Sequence, residues 1–322
     1  MIGPDDIEAA DGRIGGYVRR TPVIDVAGAA YGLARPLSLK LECLQHTGSF
    51  KPRGAFNNLL SRRVPAAGVA AASGGNHGAA VAFAAAALGH PAAIFVPEIA
   101  SPAKIAKIRA AGADIHVAGA RYADALALCE AHQAATGAIG VHAYDAAETI
   151  AGQGTVALEW LAQAADLDTV LVAVGGGGLI AGIAACLGDR VRVVAVEPET
   201  SCCLHAAREA GRPVEVPVEG IAADSLGAKS CGRLAFAIAE RFVDEAVLVP
   251  DDAIRAAQAE LWRELQLATE PGGATALAAL IAGAYRPSAT ERVGVLVCGA
   301  NVDLAELARL VRRDPEDRDG RA

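Results

Sequence analysis

Apolar residues in this chain occur in short runs separated by longer segments with a helical pattern. We predict buried strands at five of these runs, residues 92–96, 115–117, 169–174, 191–197 and 293–298. The last three are the stronger candidates, because they lack the polar alternation of a strand with one face in water. Such runs are typical of parallel strands that helices cover on both faces.

Helical patterns lie between and after these runs. We predict helices at residues 78–88, 102–111, 121–136, 154–165, 179–187, 251–265 and 274–284. The alternation of strand and helix indicates a doubly wound α/β fold. No internal repeat interrupts this alternation, and the charged tail, residues 314–322, is expected to fray.

The composition allows one large α/β domain or two medium ones. The chain has 322 residues, of which 53% are hydrophobic but only 4% aromatic, so Ala, Val, Leu and Ile must form the core. The net charge is -8 and no basic stripe is visible, which argues against nucleic-acid binding. The longest apolar stretch, residues 79–88, is too short to cross a bilayer, and residues 1–11 carry no apolar signal region. We therefore expect a soluble cytoplasmic protein without a membrane partner.

The seven cysteines show no metal-type spacing. Cys202 and Cys203 are adjacent and cannot form an ordinary disulfide. We interpret the cysteines as reduced, buried thiols.

Four consecutive glycines, Gly175 to Gly178, connect the predicted strand at 169–174 to a helix that begins at Leu179. Free backbone N–H groups and the helix dipole together favour an anion at such a turn. A tight turn without a ligand is the alternative. Four glycines exceed what a turn requires, so we predict a phosphate site.

An NAD site is the competing interpretation of the same glycines. Gly176, Gly178 and Ala181 fit the dinucleotide fingerprint, and Glu197 ends the next predicted strand about 20 residues on, where a ribose-binding acid would lie. Two facts oppose it. The motif lies in the middle of the chain, and two constellations upstream have no role in hydride transfer.

The first of these constellations surrounds Lys51. Thr47 and Ser49 can cap a helix or bind an anion, Phe50 can desolvate the amine, and Pro52 suits the first turn of a helix. Desolvation lowers the pKa of a lysine, as an imine-forming amine requires. A surface lysine at a helix start is the alternative. The other four lysines lie in unremarkable contexts: Lys40, Lys104, Lys107 and Lys229.

The second constellation is a turn, Ser73-Gly74-Gly75-Asn76-His77-Gly78, between a strand and a helix. Its glycines free N–H groups for a carboxylate, and Asn76 can donate to a phenolic oxygen. Taken alone, this loop also fits a capped turn with no ligand.

Four motifs occur in a fixed order along the chain. They are Ser49-Phe50-Lys51-Pro52-Arg53-Gly54-Ala55, Ser73-Gly74-Gly75-Asn76-His77-Gly78, Gly175-Gly176-Gly177-Gly178-Leu179 and Cys298-Gly299-Ala300-Asn301. Together they closely resemble the fold-type II pyridoxal-phosphate (PLP) enzymes, in the branch of threonine/serine dehydratases (ammonia-lyases) and serine racemases. Glu197-Pro198-Glu199 and Glu270-Pro271-Gly272-Gly273 look like that family too. The resemblance extends from about Thr21 to Asn301, and four motifs in order are not expected by chance.

The resemblance implies an architecture like that of the tryptophan synthase β subunit. Two doubly wound open-sheet domains would hold PLP in the cleft between them, a large domain at 1–48 and 146–322 and a small domain at 49–145. We expect the cleft to close over substrate, and the protein to be a homodimer. Because the chain stops soon after Asn301 and a final helix, we expect no isoleucine-binding regulatory domain.

The resemblance also assigns roles. Lys51 would hold the cofactor covalently and, once displaced by the substrate amine, take the Cα proton. Asn76 would donate to the PLP phenolic oxygen. The implied cofactor-binding residues are Phe50, Lys51, Asn76, Gly175, Gly176, Gly177, Gly178, Leu179, Glu270 and Cys298. The implied substrate-binding residues are Ser73, Gly74, Gly75, Asn76 and His77.

Two positions narrow the predicted chemistry, and two more are expected to shape the substrate pocket. Cys298 would face the pyridine nitrogen, where a neutral thiol makes the ring a weak electron sink that suits β-elimination better than transamination. Related racemases carry a second Ser where this chain has Gly74, which has no proton to give, so we expect little racemisation. Ser225 and Leu226 are expected to shape the pocket for the substrate side chain, although spacing alone does not derive this.

Cation-stimulated relatives bind their divalent ion through a Glu, a backbone carbonyl and an Asp, at the positions of Glu197, Ser201 and Cys203 in this chain. Because a neutral thiol is a poor ligand for a hard cation, we expect a degraded divalent site, with Glu197 and Ser201 as weak candidates and a monovalent ion still possible.

The predicted activity is PLP-dependent dehydration of L-threonine and/or L-serine to 2-oxobutyrate or pyruvate plus ammonia. The alternative is a PLP-dependent lyase or racemase acting on another small hydroxy- or diamino acid, such as 3-hydroxyaspartate. An NAD-binding oxidoreductase or a non-catalytic module is the remaining possibility.

Overall fold

A computed structural model describes residues 2–100 and 102–312, and in this part of the chain helices cover two β-sheets. The strands are Val23–Val26 (β1), Leu37–Lys40 (β2), Val69–Ala72 (β3), Ala92–Val96 (β4), Asp114–Val117 (β5), Ile139–Gly140 (β6), Thr169–Ala173 (β7), Arg192–Pro198 (β8), Glu245–Val249 (β9) and Val293–Leu296 (β10). The tail predicted to fray, 314–322, lies outside the described residues.

The helices surround both sheets and carry most of the candidate residues at their N-termini. They are Pro4–Ile14 (α1), Lys51–Leu60 (α2), Asn76–Ala87 (α3), Pro102–Ala110 (α4), Tyr122–Thr136 (α5), Ala147–Gln163 (α6), Gly178–Leu187 (α7), Cys203–Ala210 (α8), Ala223–Leu226 (α9), Arg233–Phe242 (α10), Asp251–Leu265 (α11), Pro271–Ile281 (α12) and Leu304–Arg312 (α13). None of these helices is both long and apolar enough to cross a membrane.

The larger sheet has the strand order β1-β2-β10-β7-β8-β9, and the smaller has β5-β4-β3-β6. Every pairing is parallel except that of β1 with β2. Parallel neighbours need helical crossovers, which explains why helices cover the sheets. The predicted α/β fold with two open sheets is confirmed. The smaller sheet uses residues 69–140, inside the segment predicted as the small domain, but the domain boundaries themselves stay a prediction.

All five strands predicted from apolar runs are present, with ends that differ by at most two residues. The apolar runs did not predict β1, β2, β6 or β9, and β3 was inferred only as the strand before the turn at Ser73. β6 has only two residues, and β9 lies at the sheet edge with only part of its side chains buried, so neither forms a continuous apolar run.

Helix α6 begins at Ala147, seven residues before the predicted start at 154. The glycines of this helix permit close packing against its neighbours. A Cβ on Gly152 would lie 2.7 Å from the Gly54 Cα of α2, and one on Gly154 would lie 2.8 Å from the Gly182 carbonyl oxygen of α7. Tertiary packing therefore overrides the low helix propensity of glycine here.

Candidate active site

Lys51 is the first residue of α2, and the segment before it is docked on the end of β10. Ser49 forms an isolated bridge with Gly299, and the Phe50 N–H donates to the Cys298 carbonyl over 3.3 Å. The turn before it is tight, because Thr47 has φ 60°, in the left-handed region that a β-branched residue rarely adopts. The backbone therefore joins Lys51 to the Cys298-Gly299 segment, although the two are far apart in the sequence.

The amine of Lys51 is enclosed, although part of its side chain is accessible from the cleft. Its Nζ donates to the Ala143 carbonyl over 2.9 Å and lies 5.1 Å from the centre of the Phe50 ring. Burial lowers the pKa of Lys51 to about 8, and the weaker attraction of Cys298 and Glu270 only partly opposes this. A substantial fraction of the amine is therefore neutral near physiological pH.

The glycine run lies at the opposite wall of the same cleft. Gly177 has φ 90°, a conformation that glycine adopts without strain. A Cβ on Gly176 would overlap the ring of Tyr144, and one on Gly178 would lie 2.8 Å from the Tyr144 Cα. Packing against Tyr144 thus explains part of the need for glycine.

The same run also presents free donors. The carbonyls of Gly176 and Gly177 accept from Gly232 and Ala181 over 3.1 and 2.9 Å. Among the described residues, no protein group accepts a hydrogen bond from the N–H groups of Gly175, Gly176 or Gly177. Because α7 begins at Gly178, its dipole points the positive end to this turn.

Asn76 and Glu270 meet between these two walls. Asn76 Nδ2 donates to Glu270 Oε1 over 2.6 Å, and Asn76 Oδ1 accepts from Asn301 Nδ2 over 2.6 Å. Glu270 is buried at the start of α12, and burial raises the pKa of its carboxyl although Asn76 and nearby lysines oppose the shift.

Cys298 completes the floor of the cleft. Its thiol donates to the Gly272 carbonyl over 3.3 Å, and burial raises the pKa of Cys298, with the Glu270 charge adding to the effect. The thiol is therefore neutral. The cleft brings together all ten predicted cofactor-binding residues, namely Phe50, Lys51, Asn76, Gly175, Gly176, Gly177, Gly178, Leu179, Glu270 and Cys298.

The predicted substrate loop contributes Asn76 to the cleft lining, but Ser73, Gly74, Gly75 and His77 lie outside it. Ser73 Oγ accepts from the Gly75 N–H over 3.2 Å, which is a local turn bond. His77 Nε2 pairs with the Val141 carbonyl over 2.8 Å, and burial lowers the pKa of His77 to about 3. Its ring is thus neutral and bound to the protein backbone.

Comparison with known proteins identifies the family. Residues 14–299 match the family described as pyridoxal-phosphate dependent enzyme. The chain belongs to this family. It is 41% identical to phenylserine dehydratase of Ralstonia pickettii over 304 residues, which cover 92% of each chain. It is 38% identical to L-threonine ammonia-lyase of Geobacter sulfurreducens, over 95% of this chain and 77% of that protein.

Solved structures agree with this assignment. The structure of maize serine racemase superimposes with a TM-score of 0.90 at 34% identity, covering 97% of each chain. The predicted family and its cofactor are confirmed, and the interpretation of the glycine run as an NAD site is wrong. A pyridoxal-phosphate dependent enzyme also needs a glycine-rich phosphate loop, so the run alone could not distinguish the two cofactors.

The residues of the cleft fit PLP. An enclosed amine with a lowered pKa, N–H donors without protein acceptors at a helix N-terminus and an amide donor lie around one cavity. These groups suit an aldehyde, a phosphate and a phenolic oxygen in turn.

The weak metal candidates have other partners in this member of the family. Both oxygens of Glu197 accept from the N-terminal turn of α8, from the N–H groups of Leu204 and His205 over 2.8 and 2.7 Å. At Ser201 the expected ligand is the backbone carbonyl, and its Oγ donates to the Leu226 carbonyl over 3.1 Å. The Glu197 carboxylate caps the N-terminus of α8.

Sequence reasoning missed several residues of the site. Tyr144 lies under the glycine run and lines the cleft, but no motif marked it. The description of three lysines as unremarkable was wrong. Lys104 pairs with Asp224, Lys107 contacts Asn301, and Lys40 lies in a buried ionic cluster.

Proposed function

We propose that this enzyme eliminates water from a 3-hydroxy-2-amino acid, with L-threonine and/or L-serine as substrates and 2-oxobutyrate or pyruvate plus ammonia as final products. The observation that carries the proposal is the enclosed amine of Lys51, whose pKa is about 8. The neutral thiol of Cys298 lies in the same cleft. When bound, PLP supplies an electron sink conjugated with the substrate Cα.

Each residue then has a defined task. Lys51 would hold the cofactor through its amine and, in its neutral form, would accept the proton from the substrate Cα. The N–H groups of Gly175 to Gly178 and the dipole of α7 hold the phosphate. Asn76 donates to the phenolic oxygen. The loop from Ser73 to His77, of which only Asn76 lines the cleft as it stands, would bind the substrate carboxylate once the cleft closes over substrate.

Cys298 supports elimination over transamination. A carboxylate at this position would keep a proton on the pyridine nitrogen, but a neutral thiol cannot. A bound PLP would therefore be a weaker electron sink, which would favour loss of the substrate hydroxyl over transamination.

Gly74 supports dehydration over racemisation. The position has no proton donor, and a Cβ there would lie 2.9 Å from the Ala100 Cβ and 3.1 Å from Val96 Cγ1. Even a serine would therefore require a shift of the neighbouring backbone or side chains. We propose that Cα is protonated, if at all, from the Lys51 face only.

A second candidate substrate is 3-phenylserine, which the identity with phenylserine dehydratase favours. The elimination would be the same, since the hydroxyl also lies on Cβ. A lyase acting on 3-hydroxyaspartate or a diamino acid stays a further alternative. We also propose a homodimer in the cytoplasm, for which light scattering after size exclusion tests the oligomeric state.

A substrate panel tests the proposal. Purified holoenzyme is incubated with L-threonine, L-serine, 3-phenylserine, 3-hydroxyaspartate and 2,3-diaminopropionate. The 2-oxo acid and ammonia are measured in each reaction, and D-serine is measured in the reaction with L-serine. We expect the highest kcat/KM with L-threonine or L-serine. A preference for 3-phenylserine would select the second candidate, and formation of D-serine at a rate rivalling pyruvate would contradict the role given to Gly74.

A further inference from the structure

A line of polar side chains connects α4 to the cofactor cleft. Lys107 Nζ contacts Asn301 Oδ1 and also donates to the Thr47 carbonyl over 2.7 Å. Asn301 Nδ2 donates to Asn76 Oδ1 over 2.6 Å, and Asn76 Nδ2 donates to Glu270 Oε1 over 2.6 Å. We call Lys107, Asn301 and Asn76 the amide relay.

The order of donors and acceptors in the relay follows from the chemistry of its first member. A carboxamide can rotate to exchange its oxygen and nitrogen, but an ammonium group only donates. Lys107 therefore requires the oxygen of Asn301 on its side, and the Thr47 carbonyl takes one N–H of Asn301 over 2.9 Å. The other N–H of Asn301 is left for Asn76 Oδ1, so the Asn76 nitrogen must point to the cleft.

We propose that Lys107 is a positioning residue, which orients the amide of Asn301 and through it presents the donor of Asn76 to the phenolic oxygen of the cofactor. The inference rests on the role proposed for Asn76 but not on the choice of substrate. If the relay were reversed, Asn76 Oδ1 would face the Glu270 carboxyl and the phenolic oxygen, where two acceptors repel each other.

The position of Lys107 gives it a structural effect as well. The Thr47 carbonyl, which Lys107 and Asn301 both bind, belongs to the left-handed turn four residues before Lys51. A test must therefore include a signal that turn stability alone does not change. The absorption maximum of the bound cofactor is such a signal, because it follows the hydrogen bonding of the phenolic oxygen.

Three variants at one position separate these effects. Lys107→Arg keeps a donor-only cation, Lys107→Met removes the donor, and Lys107→Glu supplies an acceptor that favours the reversed relay. Arg109→Met is the matched control, because Arg109 is exposed on the same helix and its loss also removes one positive charge. For each variant, the dissociation constant of PLP from the apoenzyme, the absorption maximum of the holoenzyme and the melting temperature are measured.

We expect the dissociation constant to stay within about twofold of wild type for Lys107→Arg and Arg109→Met, and to rise about five- to tenfold for Lys107→Met. Lys107→Glu should raise it further and shift the absorption maximum most. If Lys107→Glu does not fold, the comparison of Lys107→Met with Lys107→Arg is sufficient to test whether Lys107 is a positioning residue. The proposal is overturned if Lys107→Met and Lys107→Arg behave alike, or if Lys107→Met matches the control.

An Asn76→Ala variant separates failure of the relay from failure of the site. If Asn76→Ala changes PLP affinity and absorption while the Lys107 variants match the control, Lys107 is not a positioning residue. If Asn76→Ala leaves both unchanged, the role proposed for Asn76 is wrong and the relay falls with it.

Discussion

Two buried lysines in this protein have opposite surroundings. The side chain of Lys40 is 0% exposed, and its Nζ pairs with Glu159 and donates to the Thr21 carbonyl and to Gln163 Oε1 over 2.9 and 2.7 Å. Lys51 has no such carboxylate pair among the described residues, since its Nζ donates only to the Ala143 carbonyl. Burial thus produces a structural cation in one case and a reactive amine in the other, and the partners make the difference.

Lys40 belongs to a compact ionic cluster that includes Arg53 from α2. Arg53 binds Glu42 through Nε and Nη2, over 2.8 and 2.7 Å, and Glu159 through Nη2 over 3.0 Å. Burial lowers the pKa of Lys40, but Glu159 and Glu42 oppose that shift and favour the charged form. Removing one member would leave a buried charge without its partner, which is strongly destabilising.

The two lysines are also mechanically related. Arg53 lies two residues after Lys51 on the same helix, so the cluster fixes the first turn of α2 against α6. The ionic cluster thereby holds the Lys51 amine in position without contacting it. The motif from Ser49 to Ala55 contains both Lys51 and Arg53. Only the tertiary structure shows that Arg53 is structural and that Lys51 is the reactive amine.

The largest expected effect comes from removing the reactive member. Lys51→Ala should lower kcat by at least about 10⁴-fold, because the covalent link and the base are lost together. The visible absorption band of the lysine-linked cofactor should disappear, while the melting temperature should change little. A variant that kept full turnover would contradict the assignment of Lys51.

Removing the structural member should give the opposite result. Lys40→Met should lower the free energy of unfolding by about 3–5 kcal/mol, because Glu159 loses a buried partner. Denaturant unfolding measures this loss. The cofactor band and the turnover per folded molecule should persist, and a colourless but fully folded Lys40→Met protein would break the comparison.

The pH dependence of cofactor binding tests the difference between Lys51 and Lys40 more sharply. Because the folded pKa of Lys51 is about 8, its neutral fraction and thus the rate of cofactor capture by apoenzyme should rise about tenfold from pH 7 to pH 9. Stopped-flow absorbance measures this rate. If the capture rate instead rose with a midpoint near pH 10.5, the enclosure of the Lys51 amine would be contradicted.

The same pKa shift affects stability. Because the pKa of Lys51 is depressed from 10.5, the folded apoenzyme binds fewer protons than the unfolded chain between about pH 8 and 10.5. Its stability relative to Lys51→Met should therefore fall as pH falls from about 10.5 to 8.

The smallest effect is expected at Cys298. Cys298→Ser should change kcat/KM by less than about threefold, because one neutral group replaces another. Cys298→Asp serves as its contrast, since it would give Lys51 a carboxylate neighbour like that of Lys40 and raise the pKa of the amine. Equal activities of the Ser and Asp variants would show that charge at this position is unimportant.

Features that depend on a few consecutive residues could be predicted from the sequence. The turn at Gly175 to Gly178, the helix that begins at Lys51 and the continuous apolar strands follow from backbone freedom, helix-start chemistry and burial on both sheet faces. Strand β9 and the early start of α6 could not, because edge exposure and glycine packing are decided by neighbours elsewhere in the chain.

The sequence alone determined which side chains are available for chemistry, since motif order and local turns are written in adjacent residues. Only the tertiary structure decided which of them meet. Lys40 and Glu159 are 119 residues apart, and Lys107 and Asn301 are 194 apart. Neither separation leaves a periodic signal in the sequence, because long-range pairs form only when sheets and helices pack. That packing placed Lys40 and Arg53 in a buried ionic cluster and enclosed the amine of Lys51 without a carboxylate partner. It also placed Tyr144 against the glycine run.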